Sequence, residues 1–241
     1  MLTARPDPRL GAARILVVGV GGLGSPAAAA LAAAGVGTLG LVDPDAVEVS
    51  NLPRQPLYET ADVGRPKVAA AAARLAALAP GIAVEPHARR FGAGDAALAA
   101  RFEVVLDGTD TIAAKFAVND ACVAAGVPLV HAGVLGLRAQ VMTVLPGRSA
   151  CYRCVFEEAP PPGDVPSCDE AGVLGPTVAF AAALQAAEAI RLATGSEPLF
   201  ADRLLAIDLG AGRHRRVPLA RNPRCQSCRA ADHAVQRSEA S

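Results

Sequence analysis

Four cysteines in two short-spaced pairs carry the strongest chemical signal. Cys151-Tyr-Arg-Cys154 and Cys225-Gln-Ser-Cys228 lie far apart in a chain of 241 residues. Either pair alone is a weak signal, but together they supply four thiolates, the set that a tetrahedral structural zinc site uses. A second signal lies upstream, in Gly19-Val-Gly-Gly-Leu-Gly24. Gly19 allows a tight turn, Gly21 lets backbone approach a phosphate, and Gly24 lets the next helix pack closely. The N-terminus of that helix then faces the anion. Asp43 stands 19 positions after Gly24, the spacing of a carboxylate that grips ribose hydroxyls. That pattern alone makes NAD the default ligand, and the same geometry serves the ribose of ATP.

The stretch after Asp43 favours a triphosphate. Asp43-Pro-Asp45-Ala-Val-Glu48-Val-Ser50-Asn51-Leu-Pro-Arg54-Gln55 places an arginine in polar company, and Gly64-Arg-Pro-Lys67 opens a helix with a lysine. A guanidinium and an ammonium beside a nucleotide neutralise phosphate charge during transfer. For each cation alone, a solvated loop with surface ion pairs is the competing account. Asp107-Gly-Thr-Asp110-Thr111 ends a later apolar run. Asp110 there offers either a magnesium ligand or the cap of the helix that starts at Ile112. Cys122, among alanines and valines, reads as a buried apolar side chain. None of the four histidines falls in a metal or triad pattern, and His131 reads as structural.

The elements that must position these residues alternate strand and helix. Strands are predicted at Arg14–Gly19, Thr38–Asp43, Ile82–Pro86, Val104–Asp107 and Pro128–His131, and helices at Leu23–Ala34, Lys67–Leu78 and Ile112–Ala125. Pro26 is tolerated in a first helical turn. Pro44 to Gly64 reads as a functional loop. The βαβα order implies a mostly parallel sheet with helices on both faces. The rhythm then changes: Gln140–Leu145 and Leu204–Leu209 read as strands, Thr177–Ala193 as a long apolar helix, and Glu157–Pro166 as an exposed acidic, proline-rich loop. No linker divides the chain.

Composition narrows the partners. Twenty-three basic and 23 acidic side chains balance, and aromatics are 3% of residues, so neither nucleic acid nor a membrane surface is indicated. Ile15 to Val42 is uncharged and long enough for a membrane helix, but it holds seven glycines and Pro26, which breaks that reading. The N-terminal residues show no secretory signal. A cytoplasmic protein is expected, with its six cysteines as metal ligands or reactive thiols rather than disulfides.

These motifs, in this order, resemble the ThiF, MoeB and HesA family of E1-like adenylyltransferases. The resemblance runs from Arg14 to Cys228 and includes Cys168-Asp-Glu-Ala-Gly-Val-Leu-Gly-Pro176. It implies a Rossmann-like α/β fold, mostly parallel, continued by an antiparallel extension and a four-cysteine zinc site. It implies one adenylation domain over 1–241, with a nucleotide-binding half at 14–135 and a carrier-binding, zinc-holding half at 136–230. By the same resemblance, Gly22 contacts ATP, Asp43 binds its ribose, and Asn51, Arg54 and Lys67 hold the phosphates. Asp45, Ser50, Gln55 and Thr111 fall within the matching nucleotide-binding stretches. Asp110 is the magnesium-linked aspartate, and Cys151, Cys154, Cys225 and Cys228 are the zinc ligands. The implied reaction adenylates the C-terminal glycine of a small ubiquitin-like sulfur carrier. Cys168 matches a loop cysteine that in some members takes the acyl group covalently and in others is dispensable; a nearby helix N-terminus would lower its pKa, and a bystander thiol is the competing account.

Two departures stand out. Members carry an arginine before the first strand that reaches the partner subunit's ATP site, and neither Arg5 nor Arg9 sits in that context. Thr111 stands where asparagine is usual. No sulfurtransferase domain follows the zinc site, so a separate donor of cysteine desulfurase or rhodanese type is expected, as is a homodimer. An NAD-dependent oxidoreductase is the alternative that leaves Arg54, Lys67 and the cysteines unexplained. Two further alternatives are an enzyme that adenylates a non-protein carboxylate or a modified tRNA base, and a zinc-clipped carrier-binding protein without turnover.

Overall fold

The computed structural model describes residues 7–161 and 172–229. Cys168 and the second half of the acidic, proline-rich stretch lie outside the described residues. In chain order the elements are α1 (Pro8–Ala12), β1 (Arg14–Val18), α2 (Gly24–Ala33), β2 (Thr38–Val42), α3 (Lys67–Leu78), β3 (Ala83–His87), α4 (Ala96–Ala99), β4 (Val104–Asp107), α5 (Ile112–Ala125), β5 (Leu129–Leu135), β6 (Arg138–Val144), α6 (Tyr152–Val155), α7 (Gly175–Ala193), β7 (Arg203–Asp208) and β8 (Arg213–Pro218). The strands form one sheet in the order β3-β2-β1-β4-β5-β6-β7-β8.

Ile15-Leu-Val-Val18 is buried on both sides because β1 lies inside the sheet and pairs in parallel with β2 and β4. Strands β3 and β5 join in parallel as well. From β5 onward every pairing is antiparallel. Side-chain alternation divides the core. Ile15, Val17, Leu39 and Leu41 pack with Leu31, Leu75 and Val178 of α2, α3 and α7. Leu16 and Val18 pack with Phe102, Phe116 and Val118, and Cys151, Cys225 and Cys228 join that second cluster. Cys122 is buried there, as its apolar neighbours indicate.

Helix ends follow local chemistry. Thr111 caps α5, its hydroxyl accepting from the Ala114 amide at 3.3 Å. Gly126 ends the same helix with φ +70°. The capping role considered for Asp110 thus falls to its neighbour. The predicted loop 44–64 contains two short 3₁₀ turns, Val49–Arg54 and Thr60–Asp62. Strand β5 runs four residues past His131, because β6 folds back on it. Strand β8 has no counterpart among the predicted strands: Arg213-His-Arg-Arg216 has no apolar alternation, since it lies at the sheet edge with most side chains exposed. Among the described residues no helix is long and apolar enough to cross a membrane. The uncharged stretch after Ile15 is strand, helix and strand.

Candidate nucleotide site and metal centre

The sheet reverses its build-up direction between β1 and β4, and the turns that leave those two strands meet there. Gly19 sits at φ +82°, and a Cβ on it would stand 2.8 Å from the Gly108 carbonyl oxygen. A Cβ on Gly24 would fall 1.8 Å from the Gly19 carbonyl oxygen, so the helix presses directly on the loop. These contacts fix the loop before any ligand arrives, at the place where open α/β sheets bind ligands.

Asp43, at the end of β2, is buried and accepts two backbone amides, Val20 at 2.7 Å and Asp45 at 2.9 Å. Burial pushes its carboxyl above the ordinary aspartate range, against those amides and the Lys67 charge. Tyr58 holds the loop from the other side, its hydroxyl donating to the Val20 carbonyl at 2.7 Å. Lys67 is buried at the start of α3 and pairs with Asp45 at 3.1 Å. The Lys67 amide also donates to the Asp45 carbonyl at 2.9 Å, so the two segments close on each other. Arg54 ends the first 3₁₀ turn and donates to the Ser50 carbonyl at 2.8 Å. Asn51 donates to the Ser50 hydroxyl at 3.3 Å. Gln55 is buried with its Oε1 lacking a protein partner, which leaves an acceptor for a ligand donor.

One cavity of about 1530 Å³ gathers these groups. Gly19, Gly21 and Gly22 line it together with Asp43, Asp45, Ser50, Asn51, Arg54, Gln55 and Lys67. Asp110 and Thr111 line it from the other lip, and Asp110 is exposed. Gly24 lies beneath the loop instead. The cavity continues over Gly133 and Gln140 to Arg138, Arg213 and Arg215 on the antiparallel strands.

A buried network underlies the Asp110 lip. Asp107 is fully buried and uses both carboxylate oxygens twice. Oδ1 accepts from the Thr109 amide at 3.0 Å and its hydroxyl at 2.5 Å. Oδ2 accepts from Lys115 at 3.2 Å and from His131 Nδ1 at 2.7 Å. Burial alone would raise this carboxyl, but the Lys115 ammonium and the His131 contact hold it well below the usual range. His131 is itself held below its ordinary value, chiefly by burial. Its ring is therefore neutral at pH 7, with the proton on Nδ1 facing the ionised carboxylate. Sequence reasoning marks His131 as structural, names Asp107 only as the start of a motif, and passes over Lys115. The available signal is a single charge, Lys115, in the apolar first turns of α5.

The four paired cysteines converge on the same side of the sheet as α5. Cys151 Sγ lies 3.7 Å from Cys154 and 3.6 Å from Cys225, and Cys154 lies 3.6 Å from Cys228. All four sulfurs fall within 4.8 Å of one another. A tetrahedron with metal–sulfur arms near 2.3 Å has edges of about 3.8 Å, so the donor set fits a tetrahedral thiophilic ion. Helix α5 braces both pairs. Asn119 accepts the Tyr152 amide at 2.8 Å. Asp120 accepts Arg153 in bidentate fashion at 2.7 and 2.8 Å, and Ser227 at 2.8 Å. Tyr152 then stacks on His131 with centroids 4.7 Å apart. Arg9, at the unexpected α1, pairs with Asp7 and donates to the Thr194 carbonyl behind α7.

Known proteins are similar to this chain in sequence and fold. A sulfur carrier protein adenylyltransferase of Thermus thermophilus is 43% identical over 235 residues, covering 95% of this chain and 86% of that protein. The adenylyltransferase and sulfurtransferase MOCS3 of Sus scrofa is 45% identical over 222 residues, covering 91% of this chain and 49% of that protein. The chain thus spans about half the length of that relative. The crystal structure of E. coli MccB with MccA-N7isoASN is similar at a TM-score of 0.82 and 26% identity, over 92% of this chain and 68% of that one. MccB with ATP is similar at a TM-score of 0.79. Residues 6–229 match the ThiF family model, and the chain belongs to the ThiF family.

Proposed function

We propose that this chain is an ATP-dependent adenylyltransferase that activates the C-terminal Gly-Gly carboxylate of a small ubiquitin-like sulfur carrier. One observation carries the reading. A single cavity joins a glycine loop, a ribose-height carboxylate and two cations to a basic channel across β6, β7 and β8. A nucleotide fits the first part, and an extended anionic tail suits the second. The sulfur-carrier adenylyltransferase of Thermus thermophilus, similar over nearly the whole chain, supports it.

In this reading the carrier's carboxylate oxygen attacks the α-phosphorus of ATP, the bond to the β-phosphate oxygen breaks, and pyrophosphate leaves. The acyl-adenylate is then open to sulfur transfer from a donor of cysteine desulfurase or rhodanese type. The substrate brings its own nucleophile, so the chain supplies alignment and charge. Gly19, Gly21 and Gly22 present backbone to the phosphates, over the support of Gly24, and Asp43 holds the ribose. Asp45, Ser50, Asn51, Gln55 and Thr111 border the nucleotide. Arg54 and Lys67 neutralise the charge that builds on the phosphates. Asp110 would hold magnesium, which shields phosphate charge when bound. Cys151, Cys154, Cys225 and Cys228 would hold zinc, which clips the C-terminal segment to the body.

Residues 14–135 form the nucleotide half and 136–230 the carrier-facing, zinc-holding half of one adenylation domain. The protein works in the cytoplasm as a homodimer. Phe180, Leu199 and Leu209 lie exposed around an apolar hollow between α7, β7 and β8, a face suited to a second copy. Cys168 is assigned a covalent role toward the acyl group; serine there should abolish a thioester or mixed-disulfide adduct seen by intact mass.

ATP–pyrophosphate exchange tests the whole reading, with magnesium and a panel of purified sulfur carriers ending in Gly-Gly. Exchange that depends on one carrier is expected. A chain that binds ATP yet exchanges with no carrier would overturn it.

A further inference from the structure

The network beneath the Asp110 lip lies outside every role assigned above. Lys115 Nζ makes three hydrogen bonds, to Asp107 Oδ2 at 3.2 Å, to the Thr109 carbonyl at 2.7 Å and to the Ala132 carbonyl at 2.8 Å. An ammonium has three donors, so none is left over. Thr109 directly precedes Asp110. Its amide and hydroxyl are bound by Asp107 and its carbonyl by Lys115, so every polar group of that residue is held by one buried ion pair. The Ala132 contact ties the same turn across to β5. From the opposite face, Gln185 of α7 donates to the Asp107 carbonyl at 2.9 Å and to the Val130 carbonyl at 3.0 Å.

A buried ion pair is a poor source of stability, because desolvation offsets most of its attraction. An apolar pair would fill this space at lower cost but could not grip a turn by its carbonyl. We propose that Lys115 is a positioning residue: with Asp107 it fixes the Gly108–Thr111 turn, and so sets where the Asp110 carboxylate meets a nucleotide-bound cation. The inference rests on the adenylation reading and adds a residue to it. Lys115 touches neither substrate nor metal; it acts through Thr109.

The test compares Lys115→Met and Asp110→Asn with the unaltered chain, each as the full-length protein. Magnesium chloride is titrated at fixed ATP, with ATP binding read by calorimetry and pyrophosphate exchange read with the carrier that supports it. Lys115→Met should raise the magnesium concentration at half-saturation about tenfold and lower kcat about a hundredfold, the scale of a small misplacement. ATP binding without magnesium should stay within about twofold, since the turn, not the glycine loop, has moved. Asp110→Asn should shift the magnesium dependence in the same direction. If Lys115→Met unfolds because Asp107 is stranded as a buried charge, the double variant Lys115→Met with Asp107→Asn removes both charges and is expected to show the same shift. A folded variant with unchanged magnesium dependence and unchanged kcat, and only a lower melting temperature, would overturn the inference. Unchanged magnesium dependence in Asp110→Asn would instead sink the Asp110 assignment, and the inference with it. Absence of exchange in the unaltered chain would fault the adenylation reading itself.

Discussion

The first turn and the middle of helix α5 serve regions built on opposite principles. At its N-terminal end, the nucleotide side of the cavity is assembled from backbone and from charges already satisfied within the protein. Asp43 accepts two amides, Lys67 meets Asp45, and Asp107 has all its acceptors used. Halfway along the helix, Asn119 and Asp120 bind Tyr152, Arg153 and Ser227, the neighbours of four thiols that have little reason to gather on their own. Burial pushes the Cys228 thiol up to about 11 and raises Cys151 as well. The first region is already held by its own hydrogen bonds, whereas the clustered thiols of the second would be steadied by an ion. Preorganisation by the strand ends explains why the nucleotide side tolerates so many ionisable groups close together.

Substitutions can sharpen or break that contrast. The largest effect should come from Cys225→Ser. Metal analysis should fall from one ion per chain to none, and the melting temperature by roughly 10 °C. ATP binding to the folded fraction should persist. Loss of both together would show that the regions are not separable. Lys67→Ala should reverse the pattern, with pyrophosphate exchange down by about a thousandfold and metal content intact. Equal exchange in that variant would remove Lys67 from the phosphate site.

Asp120→Asn comes next, because it weakens the brace and spares the ligands. Metal transfer to a chromogenic chelator should quicken by about tenfold or more. An unchanged transfer rate would mean the cysteines organise themselves. The smallest effect concerns pH. His131 has a folded-state pKa below the unfolded value of about 6.5, so the unfolded chain binds more protons in that window. Stability should rise with pH through it and be lost on acidification. His131→Gln should flatten the fall in melting temperature between about pH 7 and pH 5. An identical slope would mean that His131 does not stay neutral in the fold.

Much of the parallel half is readable in advance, and the reason is local. Strand β4 and helices α3 and α5 end where expected because proline, glycine and carboxylates punctuate them. The four cysteines announce a cluster through spacing alone. What escapes depends on distance. Asp107 and His131 are 24 residues apart and meet only because β4 and β5 are neighbours. Tyr58 looks like one more loop residue in the sequence, although its hydroxyl supports the glycine loop from 38 residues away. Strand β8 carries arginines where a buried strand would carry valines, since among the described residues one side of it has no neighbouring strand. The mixed identity of the 44–64 segment, half loop and half 3₁₀ turn, follows from Pro53, which interrupts regular bonding.

The paired cysteines also say something about the order of events when the chain is made. Cys151 and Cys225 are 74 positions apart, and closing a loop of that length costs on the order of 4 kcal/mol. Between them lie α6, α7, β7 and β8. A growing chain leaving the ribosome cannot complete the four-sulfur cage until Cys228 has emerged. By then β1 to β6 have all been available to pair. An ion held there would be captured only after every described strand has been made, so its content would count the molecules in which this late closure is complete.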